Sequence, residues 1–375
     1  MERVYQICKR CVMDTTDPEI YFDENGYCNH CTNSIKQLSE IFFIDANIKK
    51  EKLNEIVTHI KDEGKGCKYD CIIGLSGGVD SSYLAYVAVK QLGLRPLAIH
   101  LDNGWNSELA VKNIDNIINK LNIDLYTHVI DWDEFKALQL SFLRASVIDI
   151  ELLTDHAIGV TLYRLSKKFK IKYFLSGFNC QSESVMSKSW LYPYKMDSLN
   201  IKDIFKKNGG VTKLKTFKFL NFYEYITFGN NKMSLIPLLN FLEYNKMDAI
   251  TTLEKELDWR NYGNKHEESV LTKFYQCYIL PRKFNIDKRK AHLSSLICAN
   301  QISREDALDE LKQSFYKYNN EEKDLIEYFC KKLDMSTDEF DLIMKLPIKR
   351  HEDFKSYAKN VKKIVKIAKK ILLRK

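Results

Sequence analysis

The feature that most constrains the fold is a short apolar run that ends in a pair of glycines. Residues 71–74 (Cys-Ile-Ile-Gly) lead into Gly77 and Gly78, and a helical pattern follows from Tyr83 to Leu92. This pattern predicts a buried strand that turns sharply into a helix, because glycine tolerates backbone angles that other residues avoid. The first N–H groups of such a helix lack partners and carry the positive end of its dipole. The sequence therefore predicts an anion-binding turn that suits a phosphate.

We call residues 74–82 the phosphate loop. The residues expected to bind a nucleotide phosphate there are Ser76, Gly77, Gly78, Asp80, Ser81 and Ser82. Serine hydroxyls are hydrogen-bond donors, and an aspartate can orient a backbone amide or bind Mg²⁺. The alternative is an ordinary capped turn between a strand and a helix. The run Ser-Gly-Gly-Val-Asp-Ser resembles the pyrophosphate loop of the N-type ATP pyrophosphatases, which implies cleavage of ATP to AMP and pyrophosphate. It lacks the Gly-Lys-Ser/Thr ending of a Walker loop.

Two cysteine pairs lie close to the start of the chain. Cys8 and Cys11 form one Cys-x-x-Cys pair, and Cys28 and Cys31 form the second, sixteen residues further on. Two such turns supply the four thiolates of a closed tetrahedral zinc site. His30 is a possible replacement ligand, although four thiolates already complete the site. We therefore predict a zinc ribbon over residues 1–45 with a structural Zn²⁺, because so small a module has too little core to fold without its metal.

Strands and helices alternate after the phosphate loop. Further strands are predicted over residues 97–101, 125–130 and 173–175, with a helix over 152–169. This alternation is typical of an α/β fold with a doubly wound parallel sheet, whose ligands bind at the carboxyl ends of the strands. His156 falls inside the predicted helix and is interpreted as structural, with a role at the substrate or at ATP as the alternative. The aromatic stretch 200–244 is interpreted as core packing of an insertion or a second layer rather than as a base-stacking surface.

Polar residues follow two of these predicted strands. Asp102 and Asn103 end the second strand, and Gly177 and Asn179 follow the fourth. We expect them to contact the nucleotide, although Asp-Asn-Gly is also a common turn. Glu183 comes four residues later and is a candidate Mg²⁺ ligand. The residues with a predicted catalytic role are Asp80, Ser81 and Glu183.

Two basic, turn-rich segments follow the predicted sheet. They are predicted to bind an acidic substrate because their arginine and lysine residues flank turns rather than one helix face. The residues concerned are Arg260, Lys265, His266, Arg282, Lys283, Lys288, Arg289 and His292. A solvated surface is the alternative. We predict the nucleotide domain over residues 53–260 and a mainly helical substrate-binding region over 261–375.

The net charge of +8 is concentrated at the end of the chain. Residues 345–375 hold twelve Lys/Arg against Glu352 and Asp353, a balance of +10, so the rest of the chain sums to −2. No nucleic-acid partner is expected of the body. The tail predicts a basic amphipathic helix that packs by its apolar stripe, and contact with an anionic partner is the alternative. No stretch suits a membrane span or a signal peptide, so we expect a cytoplasmic protein.

Four motifs together resemble the bacterial N-acetyl sugar amidotransferase family over nearly the whole chain. They are the segments 8–18, 22–31, 76–82 and 280–292. The resemblance implies an adenine nucleotide alpha hydrolase-like fold that uses ATP and Mg²⁺. It also implies conversion of an acetamido group to an acetamidino group on a surface-polysaccharide or flagellin sugar. The family's loop residues carry over to residues 76–82, and its ribbon ligands to the four cysteines of the predicted ribbon.

The last predictions concern the source of ammonia and two alternative functions. Position 2 is glutamate and no Gly-x-Cys-x-Gly motif occurs, so we expect a separate glutaminase subunit to supply ammonia. The first alternative is a PP-loop enzyme of the tRNA-thiolase type. That function generally needs reactive or cluster-binding cysteines, whereas the remaining six cysteines form no second Cys-x-x-Cys. The second alternative is a non-catalytic scaffold that binds ATP.

Overall fold

The computed structural model describes residues 4–229, 233–261 and 269–361. The chain begins with the cysteine turns and with helix α1, Asn29–Ile41. Helix α2, Ala46–Glu63, follows after four residues. The side chain of Asp45 accepts hydrogen bonds from the first N–H groups of α2, which is the usual role of an N-cap aspartate. The polar stretch after residue 45 therefore forms the first turns of a helix.

Five parallel strands form one sheet within the described residues. They are β1 Cys71–Gly74, β2 Pro96–Asp102, β3 Asp124–Val129, β4 Tyr173–Ser176 and β5 Ser234–Pro237. The strand order is β3-β2-β1-β4-β5, so the direction of progression reverses between β1 and β4. In an open parallel sheet, ligands bind at the carboxyl ends of the strands beside such a reversal. The phosphate loop follows β1 at this point.

Helices cover both faces of the sheet. They are α3 Val79–Tyr86 with a π-helical extension Val87–Gln91, α4 Glu108–Leu121, α5 Trp132–Ala145 and α6 Leu152–Phe169. Strand β1 shows why two layers are needed, because Cys71 and Ile73 belong to one apolar cluster and Ile72 to another. All three side chains are fully buried. The predicted doubly wound α/β class is confirmed.

The segment between β4 and residue 261 contains short helices and the edge strand β5. The helices are α7 Cys180–Glu183, α8 Ser198–Lys207, α9 Phe222–Gly229 and α10 Lys246–Leu257. Phe217 is buried and its ring lies 5.7 Å from that of His156, so this part of the aromatic stretch does pack in the core. Tyr223 is exposed. The sequence analysis missed β5, because its short Ser-Leu-Ile-Pro run lies next to many other apolar residues.

The C-terminal region is mainly helical, as predicted. Its helices are α11 Val270–Phe274, α12 Leu280–Phe284, α13 Lys288–Cys298, α14 Arg304–Lys312, α15 Glu321–Lys332 and α16 Thr337–Lys345. A π-helical segment, Tyr275–Ile279, joins α11 to α12. The predicted basic helix at the end of the chain falls largely on residues 362–375, which lie outside the described residues. Across the described ranges, every helix is too short or too polar to span a bilayer.

Candidate functional site

The phosphate loop has a backbone shape that only glycine accommodates. Gly77 adopts a φ of +82°, and a Cβ placed there would lie 2.5 Å from the carbonyl oxygen of Ala110. Trp259 is buried and donates its indole N–H to the carbonyl oxygen of Gly77 at 2.9 Å. Gly78 is the N-cap residue of α3 and makes no side-chain cap, so the first N–H groups of α3 face the loop. The loop is thus shaped by contacts with α4 and with Trp259, which lies just after α10.

Two serine hydroxyls are available at the loop, and a third is not. Ser76 is exposed, and its Oγ lies 3.1 Å from the Oγ of Ser81. Ser81 also donates to the carbonyl oxygen of Gly78 at 3.2 Å. Ser82 is fully buried, and its hydroxyl has no hydrogen-bond partner within the part of the chain that the structure describes. Ser76 and Ser81 can therefore donate to a ligand at the mouth of the loop, whereas the side chain of Ser82 faces the interior.

Asp80 lies where the loop and the end of β4 meet. A Cβ at Gly177 would lie 3.4 Å from the backbone of Asp80 and of Ser81, which shows how closely the two strand ends approach each other. The hydroxyl of Tyr244 donates to the carboxylate of Asp80. Tyr244 is buried and lies 164 residues away in sequence. The sequence analysis did not single it out, because nothing in a run of aromatic residues marks one of them as a partner of the loop.

The polar residues at the other strand ends lie at the same edge of the sheet. Asp102 is half-buried and caps its own turn, whereas Asn103 is buried and donates to Thr154 Oγ1 at 3.0 Å. Asn179 is buried and caps α7 through its side-chain oxygen. Glu183 ends α7 and is half-buried. Asp102 and Glu183 therefore retain solvent access at this edge, while the two asparagines fix the backbone around them.

We call the eight basic residues that are predicted to bind an acidic substrate the basic clamp. Three of them form contacts inside the protein. Arg282 pairs with Glu322 at 2.7 Å, and Arg289 pairs with Asp287 at 2.7 Å. Lys283 donates to three carbonyl oxygens at and just beyond the end of α16, at 2.7–3.1 Å. These cations hold C-terminal helices together, and lysine at the carboxyl end of a helix is favourable for the helix dipole.

The remaining residues of the basic clamp differ from one another in their surroundings. Arg260 is exposed, and its backbone exchanges two hydrogen bonds of 2.9 Å with Asn113. His292 is half-buried and donates through Nδ1 to the carbonyl oxygen of Ser182 at 3.1 Å. Lys265 and His266 lie outside the described residues. Lys288, at the start of α13, faces a second polar site.

This second polar site is a cluster of three acids and two lysines, which we call the charged cleft. They are Asp149, Glu151, Asp155, Lys195 and Lys288. The ammonium group of Lys195 pairs with Asp155 and lies 3.2 Å from Asp149, and Lys288 lies 4.0 Å from Glu151. Thr272, at the C-terminal side, donates to Glu151 at 2.5 Å. The charged cleft therefore joins the start of α6 to the C-terminal helices α11 and α13.

The charged cleft lies beside the carboxyl edge of the sheet, where the sequence predicts the nucleotide and which we call the nucleotide edge. Thr154, which accepts the hydrogen bond from Asn103, is in the first turn of α6 between Glu151 and Asp155. The side chain of Asp155 is 44% exposed, yet the surrounding protein raises its pKa. Burial also raises the pKa of Glu151. The charged cleft thus combines a solvent-accessible carboxyl group with one that is largely enclosed, and ionisation of both is disfavoured. The sequence analysis missed it because its residues come from four segments that meet only in the fold.

The four paired cysteines of the N-terminal module have the geometry of a metal site. They are all fully buried, and their Sγ atoms lie within 4.8 Å of one another. The distances of 3.7 Å between Cys8 and Cys31 and 3.5 Å between Cys11 and Cys28 exclude disulfides. They fit the edges of a tetrahedron with Zn–S bonds of about 2.3 Å. Backbone N–H groups donate to the Cys8 and Cys28 sulfurs, as expected for thiolates.

His30 contacts Asp17 rather than the four sulfur atoms. Its Nε2 atom donates to Asp17 at 2.5 Å, so four cysteines remain as the ligand set. Burial of the Asp17 carboxyl opposes ionisation, but the hydrogen bonds from His30 and from Ser187 and Ser189 outweigh it and lower the pKa of Asp17 to about 2. Asp17 is therefore a carboxylate at neutral pH. The donor set suits Zn²⁺, as the zinc-ribbon prediction requires.

Two family models match this chain. Residues 52–192 match the model described as NAD synthase, and residues 268–369 match the model described as LPS biosynthesis protein WbpG-like, C-terminal domain. The chain combines a PP-loop domain of the NAD synthase type with a WbpG-like C-terminal domain. The resemblance to the PP-loop superfamily is thereby confirmed, and the phosphate loop lies within the residues that match the NAD synthase model.

Curated relatives match parts of the chain. An uncharacterized protein of Methanocaldococcus jannaschii is 26% identical over 177 residues, which is 45% of this chain and 58% of that protein. Glutamine-hydrolyzing GMP synthases of Pyrobaculum aerophilum and Wigglesworthia glossinidia brevipalpis are 28% and 31% identical over 29% and 30% of the chain. The chain spans only about a fifth of the length of these two synthases.

Solved structures similar to the chain include two synthetases. NMN synthetase from Francisella tularensis aligns with 62% of this chain and 93% of its own, at 17% identity and a TM-score of 0.29. The NH₃-dependent NAD synthetase from Campylobacter jejuni aligns with 57% and 94%, at 15% identity and a TM-score of 0.28. At such scores the superpositions add no argument. The assignment rests on the family models and on the observed sheet.

Proposed function

We propose that the chain is an ATP-dependent amidotransferase that converts the acetamido group of a sugar nucleotide or nonulosonic acid to an acetamidino group. The reaction releases AMP and pyrophosphate. The observation that carries the proposal is the combination, in one chain, of a PP-loop at the β1/β4 reversal and a WbpG-like C-terminal domain. The family description supports a place in lipopolysaccharide synthesis. We propose the O-antigen as the destination of the product, and flagellin glycan synthesis would need the same chemistry.

The proposed reaction balances in two steps. The amide oxygen is a poor leaving group, so it first attacks the α-phosphorus of ATP, and pyrophosphate leaves. Ammonia then adds to the former carbonyl carbon, the carbon–oxygen bond breaks, and AMP departs with the electron pair. The proton lost by the incoming nitrogen passes to a base. One oxygen of the acceptor is replaced by NH, and positioning with charge neutralisation supplies most of the rate enhancement.

The residues of the phosphate loop would bind ATP. The first N–H groups of α3 and the hydroxyls of Ser76 and Ser81 would donate to pyrophosphate oxygens. Asp80 and Glu183 offer carboxylate oxygens of the kind that Mg²⁺ prefers. When bound, Mg²⁺ would neutralise charge on the phosphates. Asp102 retains the solvent access needed to contact the nucleoside.

The charged cleft is the proposed acceptor end of the site. It adjoins the nucleotide edge through the contact between Asn103 and Thr154. Lys288 would bind an acidic group of the acceptor, which agrees with the expected substrate role of this residue. Glu151, whose pKa burial raises, is the proposed base that takes the proton from the incoming nitrogen. Three carboxyl groups against two lysines also suit the positive charge that develops on an amidine.

A separate glutaminase subunit is the proposed source of ammonia. Ammonia is mostly protonated at neutral pH, so delivery from a partner would keep it unprotonated. The two curated relatives named as glutamine-hydrolyzing synthases support glutamine as the nitrogen source. Because the reaction consumes ATP and a sugar nucleotide, we place it in the cytoplasm. Zn²⁺ on the four cysteines is the proposed structural metal.

Mass spectrometry of the reaction products tests the proposal. The chain is incubated with ATP, Mg²⁺ and ammonium, and with a panel of acetamido sugar nucleotides and nonulosonic acids. We expect a product about one dalton lighter than its acceptor, with one AMP formed per product. Asp80→Ala is the control and should form neither. AMP that forms only with tRNA would support an RNA-modifying enzyme, and ATP binding without turnover would support a scaffold.

A further inference from the structure

We call residues 4–45, which contain the four paired cysteines and α1, the cysteine module. This module contacts the segment that immediately follows α7. The Oγ atoms of Ser34 in α1 and Ser184 lie 2.6 Å apart. Asp17 accepts hydrogen bonds from Ser187 and from Ser189, both at 2.9 Å. Asp17, Ser34 and Ser187 are all fully buried. Hydrogen bonds without competing water fix geometry strongly, so residues 184–189 are held by the module.

Helix α7 is connected in turn to the phosphate loop. The side-chain amide of Gln181 donates to the carbonyl oxygen of Tyr244 at 3.2 Å. The backbone N–H of Cys180 donates to Asn240 at 2.9 Å, which ties α7 to the same segment as Tyr244. Tyr244 donates its hydroxyl to the carboxylate of Asp80. A continuous series of contacts therefore runs from the cysteine module through α7 to the phosphate loop.

Helix α13 holds the opposite side of this arrangement. Ser294 accepts from the backbone N–H of Val12 in the module at 3.2 Å. The next residue, Ser295, accepts from the N–H of Val185 at 2.9 Å. Arg304, the first residue of α14, donates to the carbonyl oxygens of Cys8 and Cys11 at 2.9–3.2 Å. The module is thus fixed to α13 and α14 of the WbpG-like domain, and the segment after α7 is fixed to α13.

We infer that the cysteine module is a positioning device for the nucleotide site. By fixing residues 184–189 and α7, it fixes Tyr244 and, through the tyrosine hydroxyl, the carboxylate of Asp80. The inference rests on the proposed ATP site and gives the predicted Zn²⁺ a specific task, because a bound metal would make the module rigid. Tyr244 is a positioning residue, since it acts through Asp80.

The first test removes only the tyrosine hydroxyl. Tyr244→Phe should raise the dissociation constant of Mg·ATP about tenfold, because an unrestrained carboxylate is no longer pre-positioned for the ligand. The matched control is Tyr83→Phe, whose ring centre lies 5.6 Å from that of Tyr244. The control should bind ATP as the wild type does. Equal affinities for both variants and the wild type, measured by calorimetry, would overturn the role of Tyr244.

The second test loosens the module while leaving its cysteines in place. Asp17→Asn should retain zinc, speed hydrogen exchange in residues 180–190 and weaken Mg·ATP binding about tenfold. Asp23→Asn is the control, because Asp23 is exposed and its side chain accepts from the N–H groups of Asn25 and Tyr27 in its own turn. Ser34→Ala replaces Asp17→Asn if the latter loses zinc. Wild-type exchange and affinity in a zinc-loaded variant would overturn the inference.

These measurements give different results if the proposed function is wrong and if only the inference about the cysteine module is wrong. Both tests use Mg·ATP without an acceptor, so they do not depend on the identity of the sugar. A wild-type chain that fails to bind Mg·ATP would contradict the proposed function itself. The exchange measurement on residues 180–190 would still report whether the module holds α7.

Discussion

The phosphate loop and the basic segment 280–292 are both polar and turn-rich, but the fold uses them in different ways. In the loop, backbone shape is fixed by Gly77, Ser76 is exposed, and the hydroxyl of the half-buried Ser81 lies 3.1 Å from that of Ser76. In the basic segment, Arg282 and Arg289 form ion pairs within the protein. A loop that binds a ligand through its backbone can be recognised locally. The role of a charged side chain, by contrast, depends on which residues the fold places next to it, and these can be distant in the sequence.

The comparison is sharpest at Gly77, where we expect the largest loss of turnover. Gly77→Ala should lower kcat/KM for ATP by about a hundredfold or more, because the added Cβ would displace the loop from α4. Gly66→Ala is the matched control, since Gly66 has a similar φ of +78° but no atom within 4 Å of the added Cβ. It should lose about 1 kcal/mol of stability and keep its activity. Equal activity losses in the two variants would contradict the account of the loop.

Two neighbouring cations within the basic segment separate binding from packing. Lys288→Ala should raise the KM of an acidic acceptor about tenfold and leave the melting temperature unchanged, because its ammonium faces the charged cleft. Arg289→Ala should lower the free energy of unfolding by about 1–2 kcal/mol and change kcat/KM by less than about twofold. Steady-state kinetics and thermal denaturation check both. A raised KM in both variants would show that the segment binds substrate as a whole, and the reverse assignment of effects would contradict the account.

A buried histidine should affect stability alone, with the smallest effect on turnover. Burial lowers the pKa of His156 to about 4, below the usual value near 6.5. Above pH 6.5 the folded and unfolded chains both carry a neutral imidazole. As the pH falls below that value, the unfolded chain binds the proton first and folding stability declines until about pH 4. The contribution lost between pH 7 and pH 6 is about 1 kcal/mol.

The matching variant is His156→Asn, which can keep the hydrogen bond to the carbonyl oxygen of Lys195 that the imidazole Nδ1 now makes at 2.9 Å. Chemical denaturation at pH 7 and pH 6 should show a smaller pH dependence in the variant than in the wild type. An unchanged pH dependence would mean that the proton uptake belongs to other groups.

The sequence was sufficient for features whose physical cause is local. The strand and glycine turn of the loop and the spacing of the four cysteines each depend on residues close together in the chain. The strands β1, β2, β3 and β4 were also predictable, because each combines an apolar run with a turn signal.

Features that depend on distant contacts could not be predicted in this way. Tyr244 meets Asp80 across 164 residues, and the charged cleft combines segments from residue 149 to residue 288. The partners of Arg282 and Lys283 lie on α15 and at the end of α16, so their role in packing was invisible in the chain. Ser82 looked equivalent to Ser81, but helical geometry turns its side chain into the core.

The central claim is that ATP activates the amide oxygen of the acceptor. It is tested most directly with an acceptor whose acetamido oxygen is oxygen-18. The account predicts that every amidine product is accompanied by AMP two daltons heavier than normal, with no label in pyrophosphate, since the labelled oxygen leaves bound to the α-phosphorus. Unlabelled AMP, with the heavy oxygen retained in the sugar or released in pyrophosphate, would contradict the claim.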